Sequence, residues 1–210
     1  MFEGEYLKGK RNRKGKEYNI FDSCTFEGEY VNGKRNGNGK EYYYYGKLLF
    51  EGEYINGERN GKGKEYYEND NLKFEGQYFN GKIWNGKGYN INGNMGYEIK
   101  DGKGYIKEYY NNGDLKFEGN YLNGEKNGKG KEYYNDLNLM FEGEYLNGER
   151  NGKGKEYYID GNLKFEGEYI NEEKNGEGKN YNIYGELVFE GQYIKGNRYF
   201  KCYDKMDLGI

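Results

Sequence analysis

Residues 50–73 read FEGEYINGERNGKGKEYYENDNLK, and the order of residue types in this stretch decides the fold. Phe50, Gly52 and Tyr54 alternate with Glu51 and Glu53, and further on Gly61 and Gly63 alternate with Lys62 and Lys64. A period of two places alternate side chains on opposite faces of an extended strand. Between the two runs lies Asn56-Gly57-Glu58-Arg59-Asn60, whose Asn and Gly accept positive φ, so the segment is expected to be a hairpin loop. Pairing Glu53 with Lys62 sets Tyr54 opposite Gly61 and Gly52 opposite Gly63. A large ring then lies over a residue without a side chain, and Glu meets Lys across the strands, worth roughly 0.2–1 kcal/mol per pair. Glycine weakens a strand, so its repeated placement predicts close aromatic packing. The structural glycines expected on this basis are Gly28, Gly37, Gly39, Gly52, Gly61, Gly63, Gly143, Gly152 and Gly154.

Working outward, Phe-Glu-Gly recurs at Phe2, Phe26, Phe50, Phe74, Phe117, Phe141, Phe165 and Phe189, at intervals of 24 residues except for one of 43. The long interval hides a degenerate ninth unit beginning near Asn94. A fixed period of this size signals a repeat architecture in which each unit buries its apolar face against its neighbours. The expected fold is all-β, a single-layer elongated antiparallel meander of about nine 24-residue hairpins. At about 4.8 Å per strand it would form a rod about 85 Å long. The whole chain, 1–210, is read as one array: regular units at 2–73 and 117–188, an irregular pair at 74–116, and a terminal unit at 189–210. In that last unit Tyr199-Phe200-Lys201-Cys202-Tyr203 is expected to cap the array.

Composition narrows the function classes. The chain has 37 Gly, 28 Tyr and 11 Phe but no His, no Pro, one Ser (Ser23) and one Thr (Thr25). Without His there is no His-dependent relay or nucleophile pair. Two cysteines make neither a zinc site nor a disulfide framework. Cys24, at the position of Leu72 and Leu163, reads as a small buried hydrophobe, and both thiols are expected to be free. Mean hydropathy of -1.30 with 33% charged residues resembles a disordered chain, yet 19% aromatic content contradicts it. The net charge of -3 excludes a generic nucleic-acid binder. Lacking an apolar leader or an 18-residue apolar window, the chain is expected to be cytoplasmic.

Phe26, Gly28, Tyr30, Asn32, Gly33, Arg35, Gly37 and Gly39, with the units from Phe50 and Phe141, carry a pattern that resembles the membrane occupation and recognition nexus (MORN) repeat. The resemblance covers the whole chain. Glu41, Glu65, Glu132 and Glu156 stand where the family pattern has an aromatic residue. The Glu-Tyr-Tyr-x-x-x-x-Leu ending is similar to the variant MORN repeat of bacterial proteins. The resemblance implies a non-catalytic grooved sheet for protein scaffolding, often dimeric and sometimes attached to membranes.

Three features are candidates for function. The Tyr30, Tyr54, Tyr78, Tyr121, Tyr145 and Tyr169 column is expected either to be the core or to line a groove for a protein segment. Trp84, the only Trp, and Ile83 are expected at a loop tip, as a contact hot spot or as a drifted repeat filling its own gap. Arg35, Arg59, Lys126, Arg150 and Lys174 are expected along the hairpin tips, as a solvated edge or a stripe for anionic lipid. Paired Glu residues such as Glu51/Glu53 read as a surface ladder, not as glycosidase carboxylates. The reading is a protein-interaction scaffold of unknown partner, self-associating through open edge strands or sheet faces. No enzyme activity and no cofactor are expected. Peripheral lipid binding is the first alternative and an aromatic carbohydrate- or choline-binding repeat the second.

Overall fold

The computed structural model describes residues 1–199; Phe200 and Cys202 of the expected capping strand lie outside them. Among the described residues there is no helix, and eighteen strands follow one another in antiparallel pairs. The first nine are β1 (Phe2–Leu7), β2 (Lys10–Tyr18), β3 (Cys24–Val31), β4 (Lys34–Tyr42), β5 (Leu48–Ile55), β6 (Glu58–Tyr66), β7 (Leu72–Phe79), β8 (Lys82–Tyr89) and β9 (Met95–Ile99). The other nine are β10 (Gly104–Tyr109), β11 (Leu115–Leu122), β12 (Glu125–Tyr133), β13 (Leu139–Leu146), β14 (Glu149–Tyr157), β15 (Leu163–Ile170), β16 (Glu173–Tyr181), β17 (Leu187–Ile194) and β18 (Asn197–Tyr199). They form two open sheets in chain order, β1 to β9 and β10 to β18, where one continuous meander was expected. The chain falls into two compact units, 1–126 and 127–210.

The hairpin turn is shorter than the loop read from sequence. Asn56 and Gly57 both take positive φ, 53° and 98°, which is the two-residue turn whose twist matches the flanking strands. β6 therefore starts at Glu58, and Arg59 belongs to the strand. The register is also corrected in part. Gly52 does face Gly63, but Tyr54 faces Arg59, with a bulge between. Three residues, Asn60-Gly61-Lys62, oppose the single Glu53. Gly61 turns there with φ of 85°, and the Glu53 carboxylate occupies the space a side chain at Gly61 would need. The tyrosine-on-glycine pairing is made instead with the adjacent hairpin, Tyr54 on Gly37 and Tyr78 on Gly61.

The glycines meet in a seam across unit 1: Gly28 with Gly39, Gly39 with Gly52, Gly52 with Gly63 and Gly63 with Gly76. The ring of Phe50 covers this seam, its Cζ 2.5 Å from where a Gly63 Cβ would stand. Successive turns are tied side by side by Gly33 N–H to Arg11 O (2.8 Å), Gly57 to Arg35 (2.8 Å) and Gly81 to Arg59 (2.9 Å). At the opposite edge the Tyr43 and Tyr67 hydroxyls donate to the Tyr66 and Tyr89 carbonyls, both at 2.8 Å.

The sheet breaks where the glycine seam fails. Ile99 faces Gly86 and Ile106 faces Gly119, in the places that Gly76 and Gly63 take in the regular repeat, so two branched side chains stand where the seam has none. Both are 1% exposed. The hairpin between them shrinks to an Asp101-Gly102 turn (φ 49° and 69°) closed by a Lys100–Lys103 bridge, which accounts for the interval of 43.

Candidate functional site

Each regular unit builds the same three-layer stack. At the bottom is the glycine pair and in the middle a phenylalanine. Phe50 is 0% exposed and is gripped edge-on by Tyr54 and Tyr78, at 5.6 and 5.2 Å between centroids. On top lies a cation: Arg35 over Phe26 (4.0 Å), Arg59 over Phe50 (4.1 Å), Lys126 over Phe117 (4.2 Å), Arg150 over Phe141 (4.1 Å) and Lys174 over Phe165 (4.1 Å). The five basic residues expected at the tips are thus drawn inward as lids on the rings. Such placement over a ring is worth about 0.5–2 kcal/mol. The reason is the shorter turn, which moves them from the loop into the strand, opposite a tyrosine.

What holds the cations down is the glutamate that departs from the family pattern. Glu41 accepts from Arg35 Nη1 (3.2 Å), Arg59 Nη2 (2.5 Å) and the Tyr54 hydroxyl (2.7 Å). Glu17 does the same for Arg11 (2.7 Å), Arg35 (2.7 Å) and Tyr30 (3.0 Å). Arg59 continues to Glu65 at 3.2 Å, so the chain Arg11–Glu17–Arg35–Glu41–Arg59–Glu65 runs unbroken across three hairpins. In unit 2 Arg150 bridges Glu132 (2.5 Å) and Glu156 (3.5 Å). The glutamates were missed as site residues, but the sequence held a signal. Arg and Glu recur at separations of 6 and 18 residues, one within a unit and one across units.

The tyrosine column is the core. Tyr30, Tyr54, Tyr78, Tyr145 and Tyr169 are buried, so their rings do not line an open groove; Tyr121 is half-buried and donates to Glu108. Trp84 and Ile83 are not at a tip. Both lie in β8, Trp84 5.3 Å from Phe79, and Ile83 packs on the core in the place of the arginine, opposite Tyr78. Tyr97 reaches into the space above Gly88, which stands where a ladder glutamate would be. The ionic ladder is there replaced by an apolar plug of Ile83, Tyr97, Ile99 and Ile106. Cys24, expected buried, is half-buried at the start of β3.

Burial pushes the Glu41 carboxyl up, but the hydrogen bond and charge of Arg59 outweigh it and hold Glu41 below its ordinary 4.5; Glu17 is lowered in the same way by Arg35. Carboxylates lowered by folding stabilise the fold above pH 4.5, and this is lost as pH falls through their folded values. Burial, with the Glu51 hydrogen bond, pushes Tyr66 up to about 12 from 10.0. Its contribution is complete below pH 10 and lost between 10 and 12. Urea midpoints measured from pH 2 to 12 are expected to form a plateau from about 5 to 10 that falls on both sides. A curve flat down to pH 3 would contradict the ladder.

The open surface is the other face. Between the Glu and Lys rows of unit 1 runs a groove of about 1030 Å³ whose floor is the backbone of Gly4, Gly15, Gly28, Gly39, Gly52, Gly63 and Gly76. One wall alternates Lys16, Glu27, Lys40, Glu51 and Lys64; the other carries Lys14, Glu29, Asn38, Glu53 and Lys62. The first wall is stiffened by the Lys16–Glu27 ion pair (3.2 Å) and by the Tyr42 and Tyr66 hydroxyls on Glu27 and Glu51, at 2.5 and 2.8 Å.

The MORN repeat family model matches residues 2–19, 26–44, 50–72, 117–138 and 141–163. The chain belongs to the MORN repeat family. No curated protein matches it. Among solved structures it is similar to a chain in the crystal structure of TcdB2-TccC3-Cdc42, at 13% identity over 85% of this chain and 11% of that chain, with a TM-score of 0.19. A likeness of that size carries no argument about this MORN array, which spans only about a tenth of the length of that chain.

Proposed function

We propose that this MORN array is a non-catalytic scaffold that takes an extended protein segment in the groove above the glycine seam of unit 1. The observation that carries the reading is the contrast between the two faces. The aromatic face is closed by its cationic lids, so the rings have no area left for a partner. The opposite face is an open trough with a peptide floor and walls that carry both signs of charge, about 4.8 Å between successive strands. Such walls give little net field and much register, which suits selection among protein segments more than attraction of a uniformly charged ligand.

The test is site-specific photo-crosslinking. A benzophenone amino acid at Asn38 or Lys62, inside the groove, is expected to give a discrete adduct in lysate, and the same group at Asn69 on the turn edge to give none. Equal adducts at all three positions would remove the groove from the reading. Flotation with phosphatidylserine vesicles separates the lipid alternative: the protein is expected to stay at the bottom of the gradient.

A further inference from the structure

The groove of unit 1 has a pitch as well as a charge. Each strand that crosses it sets residues of one sign on both sides of its glycine: Lys14 and Lys16 on β2, Glu27 and Glu29 on β3. Strands β5 and β6 repeat the acidic and the basic bar with Glu51/Glu53 and Lys62/Lys64. On β4 the bar is basic at Lys40 and neutral at Asn38, and on β7 it is acidic at Glu75 and neutral at Gln77. The sign therefore changes at every strand, and bars of one sign recur at every second strand, about 9.6 Å apart. Lys40 lies 3.9 Å from Glu51, and exposed pairs of this kind open at little cost to meet a ligand.

We infer that the occupant of the groove is a polyproline-II segment with a charge period of three, carrying one acidic and one basic side chain in each turn. The inference rests on the groove reading above and gives its ligand a conformation and a chemistry. The floor offers no free backbone groups, because the ladders that pair Gly28 with Gly39, Gly39 with Gly52 and Gly52 with Gly63 use the strand amides within the sheet. A β-strand laid on that floor would leave its own N–H and C=O groups without a ladder. An α-helix is about 10–12 Å across, whereas the walls rise from residues two apart on a strand, about 6.8 Å. Polyproline II makes no internal hydrogen bonds and keeps its backbone solvated, which an open trough permits. Pitch selects the same conformer. At about 3.1 Å per residue and three residues per turn, its like positions recur at about 9.3 Å and drift from the bars by only about 1 Å over three turns. On one face of a β-strand side chains recur at about 6.6 Å and miss by about 3 Å at the first repeat. In each turn one residue, Gly or Pro, rests on the glycine floor, and the other two diverge to the walls. There an acidic side chain meets a Lys bar and a basic one the neighbouring Glu bar. From Glu3 on β1 to Glu75 on β7 the bars span about 29 Å, the length of about nine such residues.

Fluorescence anisotropy of labelled peptides with the full chain tests the assignment. The first peptide is four repeats of Pro-Glu-Lys; the second has the same composition, with Glu and Lys alternating at a period of two ahead of the prolines. The first is expected to bind about tenfold more tightly than the second, and less tightly in high salt. Lys62→Glu with Lys64→Glu reverses one bar and is expected to weaken that binding about tenfold. Asn38→Lys with Gln77→Glu completes the two half-neutral bars and is expected to strengthen it about threefold. All four side chains are exposed, and unchanged urea midpoints confirm that the variants fold. A period-two peptide that binds as tightly as the first, and loses as much on reversal of the bar, would overturn the polyproline-II ligand and leave the groove in place. So would a discrete photo-adduct at Asn38 or Lys62 with no binding of either peptide. Absence of both the groove adduct and peptide binding would overturn the groove together with its ligand.

Discussion

Replacing Gly52 with Ala is expected to lower stability by about 3 kcal/mol, the upper end of the overpacking range. Its backbone is not in the left-handed region, so the cost is steric alone. An added Cβ would lie 2.6 Å from the Lys62 carbonyl oxygen, 2.7 Å from the Gly63 Cα and 2.6 Å from the Phe50 Cζ. Two of those atoms are backbone of the paired strand, and the third belongs to a ring with no exposed surface, so nothing can yield. Gly57 gives the comparison. It has nothing within 4 Å and a φ of 98°, so Gly57→Ala carries only the conformational cost of about 1–2 kcal/mol. Urea denaturation of both variants ranks the two mechanisms. Equal losses, or a larger loss at Gly57, would show that the seam does not need its glycines for space.

The second large effect is expected at Glu41. Its side chain is 18% exposed and is shared by Arg35, Arg59 and the Tyr54 hydroxyl. Glu41→Ala strands Arg59, itself 19% exposed, above Phe50 with only Glu65 to answer it. Removing one partner of a buried ion pair costs about 3–5 kcal/mol, and the residual solvent access here places the expected loss near the lower bound, about 3 kcal/mol. The control is Glu5→Ala. Glu5 stands 3.1 Å from Arg13, with exposures of 53% and 79%, and surface pairs of that kind contribute about 0–1 kcal/mol. Thermal unfolding of the two variants under the same conditions is expected to differ by about 4–12 °C. Indistinguishable melting would mean that the ladder is as weak as the surface pairs.

The fold was legible because alternation and period are written residue by residue. Phe50, Gly52 and Tyr54 on one face, and Gly52 on Gly63, follow from counting. The bulge at Gly61 does not, because a run of Gly, Lys and Asn alternates equally well with or without the extra residues. That one displacement moved Tyr54 from Gly61 to Arg59, and with it the position of every basic residue assigned to a tip. Glu41 was visible as a departure from the family pattern, but its partners lie 6 and 18 residues away, and only the adjacent hairpin shows that both separations converge on one carboxylate. Ile99 and Ile106 were visible only as irregularity. Their meaning depends on knowing that the positions they occupy are glycine elsewhere. The groove was sought on the aromatic face, since ring counts draw attention there, and the cationic lids that close it are invisible to composition.

The apolar plug has a consequence for how disturbances spread. Along Arg11 to Glu65 every carboxylate is held by two hairpins at once, so a charge lost at one rung alters the field felt at the next. At Ile83 and Gly88 the sequence of rungs stops, because neither residue can stand in for a cation or a carboxylate. The plug therefore closes the ladder at one end: a rearrangement of shared ion pairs begun at Glu17 has partners to pass through as far as Glu65, and at Ile83 it meets none of that kind.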